Sequence, residues 1–254
     1  MIAPNIPALE TFYCKYLLRP WIRHNKGEVS LTGVDDIPRG TPCLFVLKKY
    51  DRRILLNFLH ILYRNENIRY SIPVSSSDDE KPLFPFNFFH SLSMPSPGRF
   101  ISDYFLTLNG RLPTQFEIDS LRSVISHENK LLNQFEEGLK ASWKADFLPT
   151  VKTFYNQVRN YTLEKNFNLV LFLNDDRFYT SDIQDTSICA GAIISSGYPA
   201  CSINVNEIKN ISGSFNTVFS VSSVWDTFDP PLSLIPSQEQ TQELILSLFP
   251  DYYQ

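Results

Sequence analysis

Two short apolar runs constrain the fold of this chain more than any other feature. One is Cys43–Leu47, and the other, which opens on a single polar residue, is Asn168–Leu173. Runs of this kind are typical of strands that are buried on both faces of a sheet. Such a sheet needs helices on either side, so the two runs predict an α/β fold with a mostly parallel central sheet flanked by helices.

Helix-like and strand-like patterns alternate along the rest of the chain, which favours the same fold class. The predicted helices cover 54–63, 114–140, 146–163, 187–196 and 237–249, and the predicted strands cover 28–33, 68–74, 200–205 and 217–225. Thr114 and Glu117 form a predicted capping box, and Pro149 lies near the start of its predicted helix, where proline is tolerated. A loop is predicted over 75–97. No internal repeat is present, so residues 1–254 are predicted to form a single domain.

The bulk composition excludes some classes of partner and site. The net charge is −4 and the pI is about 5.6, so no basic field covers the whole chain and nucleic acid is not an expected partner. The four cysteines have no Cys-x-x-Cys spacing and lie among apolar residues, as reduced core thiols of a cytosolic protein do; they are Cys14, Cys43, Cys189 and Cys201. No apolar run of about 18 residues and no secretory signal is recognised, so no spanning helix is expected.

Residues 8–24 combine aromatic and basic side chains and predict an N-terminal helix that Pro20 kinks or ends. The aromatic residues are Tyr13, Tyr16 and Trp21, and the basic residues are Lys15, Arg19 and Arg23. Two interpretations stay open. The helix contacts a membrane surface through residues 12–23, or it packs on its own domain with its cations in water.

Several stretches, taken in order, resemble the PlsC-type glycerolipid acyltransferases, which acylate glycerol phosphate and lysophospholipids. Val29–Pro42 is similar to the family's phrase Gly-x-Glu-Asn-Ile-Pro-x-Gly-x-Pro, which a buried strand follows. Gly98–Ile101 is similar to the family's Gly-x-x-Phe-Ile-x-Arg phrase, although this chain has one residue fewer between the glycine and the phenylalanine. Leu169–Arg177 is similar to the family's strand that ends in Phe-Pro-Glu-Gly-Thr-Arg.

The resemblance continues towards the C-terminus. Ala190–Ala192 and Gly197–Ile203 are similar to the helix and the strand that come next in the family. The stretch from 102 to about 165 is longer than the corresponding stretch of the family. The resemblance therefore implies an acyltransferase-like fold with a helical insertion over 102–165.

The residues that carry the family's chemistry are replaced in this chain. The resemblance implies a His-x-x-x-x-Asp pair just after the first buried strand, in which histidine takes a proton from the acceptor hydroxyl and aspartate orients the imidazole. Lys48 stands at the histidine position and Arg53 at the aspartate position. No histidine of the chain has a carboxylate five residues later; the histidines are His24, His60, His90 and His127. The chain is therefore expected to lack the catalytic pair, and His60 is expected to have a core or surface role.

The segment that matches Phe-Pro-Glu-Gly-Thr-Arg is altered as well. Asn174, Asp175 and Asp176 replace its glutamate, glycine and threonine, and only Arg177 is kept. The resemblance implies that this arginine binds the phosphate of the acceptor, because a guanidinium binds phosphate oxygens in a bidentate fork. Arg177 can equally pair with a neighbouring aspartate such as Asp182, and both interpretations stay open.

Four cations follow the first buried strand, namely Lys48, Lys49, Arg52 and Arg53. Ligands of open α/β sheets bind beyond the carboxyl ends of the strands, so these cations, together with Asn174 and Arg177, form the predicted ligand-binding set. A solvated charged loop, an ion-pair network with the nearby aspartates and a site for an anionic head group are all consistent with the pattern.

The leading hypothesis is a catalytically degenerate acyltransferase-like protein, without cofactor or metal. It binds an anionic lipid, an acyl group or a protein partner through the former active-site groove. The second hypothesis is an active acyltransferase with a rebuilt site that uses His90. The third is a metal-dependent glycosyl or nucleotidyl transferase in which Asp175 and Asp176 hold Mg²⁺ or Mn²⁺. The expected location is the cytoplasm, and peripheral attachment to the inner face of a membrane stays open as an alternative.

Overall fold

The computed structural model describes residues 12, 16, 28–38, 40–49, 51–65, 68, 71–75, 92–95, 105–107, 110–114, 116–117, 137–174, 183–209, 215–225, 236 and 238–251. The strands are β1 (Val29–Thr32), β2 (Leu44–Lys49), β3 (Ser71–Ser75), β4 (Leu92–Ser93), β5 (Asn168–Asn174), β6 (Ala200–Lys209) and β7 (Phe215–Trp225). The helices of these residues are α1 (Arg52–Arg64), α2 (Glu137–Arg159), α3 (Ile183–Ser196) and α4 (Gln238–Leu248).

The strands form a single seven-stranded sheet in the order β1-β7-β6-β2-β5-β3-β4. Neighbours run parallel throughout except β6 and β7, which form a long antiparallel pair. The predicted α/β class with a mostly parallel sheet is therefore confirmed. The short strand β4 lies inside the stretch that was predicted to be a loop, so that prediction was wrong at Leu92–Ser93.

The apolar strand β2 lies between β5 and β6 at the centre of the sheet. Successive side chains of a strand point to opposite faces, so Leu44 and Val46 join one apolar cluster while Phe45 and Leu47 join the other. All four are fully buried. Helices cover both faces, and this cover explains why the strand carries no polar residue before Lys48.

The helix α1 covers one face of the sheet, and α2, α3 and α4 cover the other. Phe58 of α1 belongs to the same apolar cluster as Phe45 and Leu47. Its ring meets Phe45 edge-on at 5.6 Å between centroids and Phe219 at 5.0 Å. Edge-to-face contacts suit the charge distribution of aromatic rings and fix the helix over the β2–β7 half of the sheet.

The helix α2 differs from its prediction. The pattern predicted a helix over 146–163 with Pro149 in its first turn, whereas the helix begins at Glu137 and contains Pro149 in its interior. Proline has no amide hydrogen, so the carbonyl of Ala145 loses the partner that a regular helix would supply. The helix ends in a wider turn over Asn160–Glu164.

Tyr155 of α2 packs directly on Gly191 of α3. A Cβ atom added at Gly191 would lie 2.0 Å from the Tyr155 hydroxyl oxygen and 3.1 Å from Cδ of Pro236. The hydroxyl is buried and has no hydrogen-bond partner in the described part of the chain. Burial, and then the nearby Cys189, raise the pKa of Tyr155. The absence of a side chain at Gly191 therefore sets the approach of the two helices.

The buried side chain of Asn168 connects the amino ends of β2, β5 and β3. Oδ1 of Asn168 accepts a hydrogen bond from the backbone N–H of Cys43 at 3.0 Å, and its Nδ2 donates to Oγ of Ser71 at 3.5 Å. The Tyr63 hydroxyl donates to the carbonyl oxygen of Ser71 at 2.9 Å. Asn168 thus satisfies backbone and side-chain groups that burial would otherwise leave unpaired.

Three of the cysteines are buried free thiols, as predicted: Cys43, Cys189 and Cys201. The predicted capping box is confirmed too, because Thr114 N donates to Glu117 Oε2 at 2.7 Å and Glu117 N donates to Thr114 Oγ1 at 3.3 Å. The salt bridge from Arg111, and then the Thr114 N–H, hold the pKa of Glu117 at about 2. Except for Phe12 and Tyr16, the predicted helix 8–24 lies outside the described residues.

Candidate functional site

The carboxyl ends of β2 and β5 lie side by side. The two strands are parallel neighbours, and the Cα of Lys49 is the register partner of the Cα of Asn174. On the other side of β2, Leu47 pairs with Ile203, and β6 continues beyond that point to Lys209. We call the ends of β2 and β5, with residues 204–209 of β6, the carboxyl edge.

Lys48 is half-buried at this edge and lies over an aromatic ring. Its Nζ atom is 5.4 Å from the ring centroid of Phe249, a buried residue directly after α4. A cation over a ring face is attracted by the electrons of the ring, and the C-terminus of a helix attracts a cation as well. Lys48 therefore has a defined position, on the sheet face that α2, α3 and α4 cover.

Arg53 occupies the position that matches the family aspartate, and it is paired. Its Nη2 atom lies 2.5 Å from Oε1 of Glu207 on β6, with side-chain exposures of 38% and 27%. An ion pair this exposed stabilises a protein by at most about 1 kcal/mol. Its main effect is to neutralise Arg53 and to hold the start of α1 beside β6.

Asp51 is a residue of this edge that the sequence reasoning did not single out. Its Oδ1 atom accepts hydrogen bonds from the backbone N–H of Arg53 at 2.7 Å and of Ile54 at 3.0 Å, so it is the N-cap of α1. An aspartate directly before an apolar helical pattern is the usual signal for a cap. These two hydrogen bonds hold the Asp51 carboxylate at the start of α1.

His60 is buried in α1, away from this edge. It follows Arg52 by eight residues, which is about 12 Å along a helix axis. Of the two roles predicted for it, core or surface, the structure shows the core one. His24, His90 and His127 lie outside the described residues.

The remaining residues of the predicted ligand-binding set are described by backbone alone or not at all. Lys49 and Asn174 end their strands and Arg52 begins α1. Arg177 and the paired aspartates Asp175 and Asp176 lie outside the described residues. Over the described ranges, no group of three or more His, Cys, Asp or Glu side chains is close enough to hold a metal ion.

Comparison of the chain with family models, with curated proteins and with solved structures finds no match. Among the helices that the structure describes, none has the length and apolar character needed to cross a membrane. The described residues of the carboxyl edge supply an ammonium group at Lys48, a neutralised guanidinium at Arg53 and a carboxylate that caps a helix.

Proposed function

We propose that this chain is a catalytically degenerate acyltransferase-like protein that binds the phosphate of a glycerolipid at the carboxyl edge. The observation that supports this most is the register of Lys49 with Asn174. Lys48 and Lys49 at the end of β2, and Arg52 and Arg53 at the start of α1, therefore lie beside the end of β5. Side-by-side turns at parallel strand ends are where open α/β sheets bind ligands.

Lys48 is the residue to which we assign the main contact with the phosphate. An ammonium group is a strong donor to phosphate oxygens, and the Phe249 ring restricts where this one can lie. Arg53 contributes less, because Glu207 already compensates its charge.

Acyl transfer to a hydroxyl requires a base that accepts its proton. A protonated lysine offers three donors and no acceptor, and Asp51 is engaged as a helix cap. Binding without turnover is therefore the activity that these residues support.

Isothermal titration with a short-chain lysophosphatidate, below its aggregation concentration, tests the binding. We expect Lys48→Ala to weaken binding about tenfold or more, since hydrogen bonds to charged groups contribute about 1.5–3 kcal/mol. The matched control is Lys165→Ala, which removes a lysine whose Nζ lies 4.0 Å from the Tyr161 ring, before the amino end of β5. The phosphate-free monoacylglycerol is the control ligand. The proposal would be contradicted if lysophosphatidate and monoacylglycerol bound equally well, or if Lys48→Ala and Lys165→Ala lost the same amount of affinity for lysophosphatidate.

Incubation with acyl-CoA or acyl-carrier protein, and with glycerol phosphate or lysophosphatidate as acceptor, tests the absence of turnover. We expect no acylated product above the level of a heat-denatured sample. Turnover that Lys48→Ala abolishes would show that the edge is an active site rebuilt around the lysine.

A further inference from the structure

The antiparallel pair β6–β7 reverses the direction of one side of the sheet. Because β7 runs opposite to β6 and β1 runs parallel to β7, β1 starts at the carboxyl edge. Thr217 is the register partner of both Val29 on β1 and Glu207 on β6. The segment that precedes β1 therefore joins the domain close to the ion pair of Glu207.

Two hydrogen bonds hold this junction. The backbone N–H of Thr217 donates to the carbonyl oxygen of Glu28 at 2.9 Å. The backbone N–H of Glu28 donates to Oδ1 of Asn216 at 3.0 Å. Residues 1–27 are thus covalently joined to the domain at the edge that carries Lys48 and Arg53.

Phe12 and Tyr16 of that segment are large aromatic residues exposed to solvent. Their exposed fractions are 55% and 53%, and their ring centroids are 5.1 Å apart. Residues four apart in a helix lie on one face. An exposed aromatic pair suits the boundary between lipid head groups and acyl chains, where rings are favoured.

The charge of the same stretch is complementary to an anionic surface. Residues 11–27 contain Lys15, Arg19, Arg23 and Lys26 and no acidic residue, in a chain whose net charge is −4. Cations near an anionic bilayer each strengthen binding. A nucleic acid is a poorer fit, because the acidic remainder of the chain would repel a polyanion along any longer contact.

We propose that the carboxyl edge faces an anionic phospholipid bilayer and that Phe12 and Tyr16 insert into its interface. This inference deepens the proposed function, since the same bilayer would supply the glycerolipid. It depends on different residues, so the two proposals can fail separately.

Co-flotation of the full chain with vesicles tests it, using phosphatidylcholine vesicles with and without phosphatidylglycerol. We expect binding to the anionic vesicles that falls with added salt. The double change Phe12→Ser and Tyr16→Ser should reduce the partition coefficient about tenfold or more. Each neutralisation among Lys15→Gln, Arg19→Gln and Arg23→Gln should reduce it about fivefold.

Leu163→Ser is the matched control, because Leu163 is similarly exposed, at 52%, in the turn that follows α2. It should bind vesicles like the parent, and circular dichroism should show all variants folded. Equal loss in the control, equal binding to neutral vesicles, or no effect of the Phe12 and Tyr16 changes would overturn the proposal. Tighter binding to duplex DNA than to anionic vesicles would also overturn it.

The titration with soluble lysophosphatidate separates the two proposals. Phe12→Ser with Tyr16→Ser should leave that titration unchanged, whereas Lys48→Ala should weaken it. A parent protein that floats with anionic vesicles and does not bind soluble lysophosphatidate would support the membrane contact and refute the head-group site.

Discussion

The contact between Tyr155 and Gly191 predicts that Gly191→Ala destabilises the protein. In most helices this change stabilises, because alanine is favoured over glycine by about 1 kcal/mol. Here the new methyl group would lie 2.0 Å from the Tyr155 hydroxyl oxygen and 2.7 Å from its Cζ atom. Both distances are far below van der Waals contact, so the ring or one of the two helices has to move.

The magnitude follows from two opposing terms. Overpacking of a well-packed core costs about 1–3 kcal/mol, and an approach this close selects the upper end. Subtracting the gain of about 1 kcal/mol in helix propensity leaves an expected net loss of about 2 kcal/mol. In a Tyr155→Leu background only the 3.1 Å approach to Cδ of Pro236 remains, so the same change should cost nothing or stabilise by up to about 1 kcal/mol. The coupling between the two positions is then about 2–3 kcal/mol, near the upper end for residues in contact.

Urea denaturation of the parent, the two single variants and the double variant measures this cycle. Tryptophan fluorescence is a suitable signal, since the chain contains 3 Trp residues. The slope of the free energy of unfolding against urea should stay constant, so that midpoints report stability. If Gly191→Ala loses the same amount in both backgrounds, or stabilises the parent, the reasoning about this contact is refuted.

Three further predictions concern buried groups. Tyr155→Phe should raise the free energy of unfolding by about 1 kcal/mol or more, because it deletes a buried hydroxyl that has no hydrogen-bond partner in the described residues; the same urea titration measures it. Burial raises the pKa of Cys189 from 9.0 to about 12. The stability that this thiol contributes is complete below its unfolded pKa, and between pH 9.0 and about 12 it falls by up to about 1.4 kcal/mol per pH unit. Cys189→Ala should therefore flatten the alkaline loss of stability, whereas an equally steep loss in the variant would contradict this. Asn168→Ala should cost about 1–3 kcal/mol, because the backbone N–H of Cys43 loses its buried acceptor; thermal unfolding that matches the parent would count against it.

The central strands could be predicted from sequence because their burial on both faces leaves a compositional signal. The predicted end of β2 at Leu47 was short by two residues. The prediction ended the strand where the apolar pattern stops, directly before Lys48. The strand continues to Lys49 because β5 continues beside it to Asn174. Pairing with a neighbour, which a local pattern does not contain, decides where such a strand ends.

The start of α2 could not be predicted correctly for a related reason. A proline usually marks the first turn of a helix, so Pro149 was assigned that role. The helix instead begins at Glu137, and the downstream turn packs Val151, Phe154 and Val158 into the core. This packing compensates for one missing backbone hydrogen bond inside the helix.

The candidate site was predictable in position but not in its contacts. The order of strand, basic loop and helix predicts that Lys48 lies at a strand end. The pairing of Arg53 with Glu207 joins distant parts of the chain and left no local signal. Asp51 did leave one, because an aspartate directly before a helix is the usual signal for an N-cap.

Pro149 removes one backbone hydrogen bond from the interior of α2, upstream of the turn that holds Tyr155. Directly upstream of it, Ala145 and Asp146 are exposed and Phe147 is buried. Downstream, the buried residues are Val151, Phe154, Tyr155 and Val158. Amide protons on the two sides are then free to exchange with solvent at different rates, because breaking the upstream turns leaves the Tyr155–Gly191 contact closed. Amide protons directly upstream of Pro149 are therefore expected to exchange faster than those of the downstream turns, which cover the sheet.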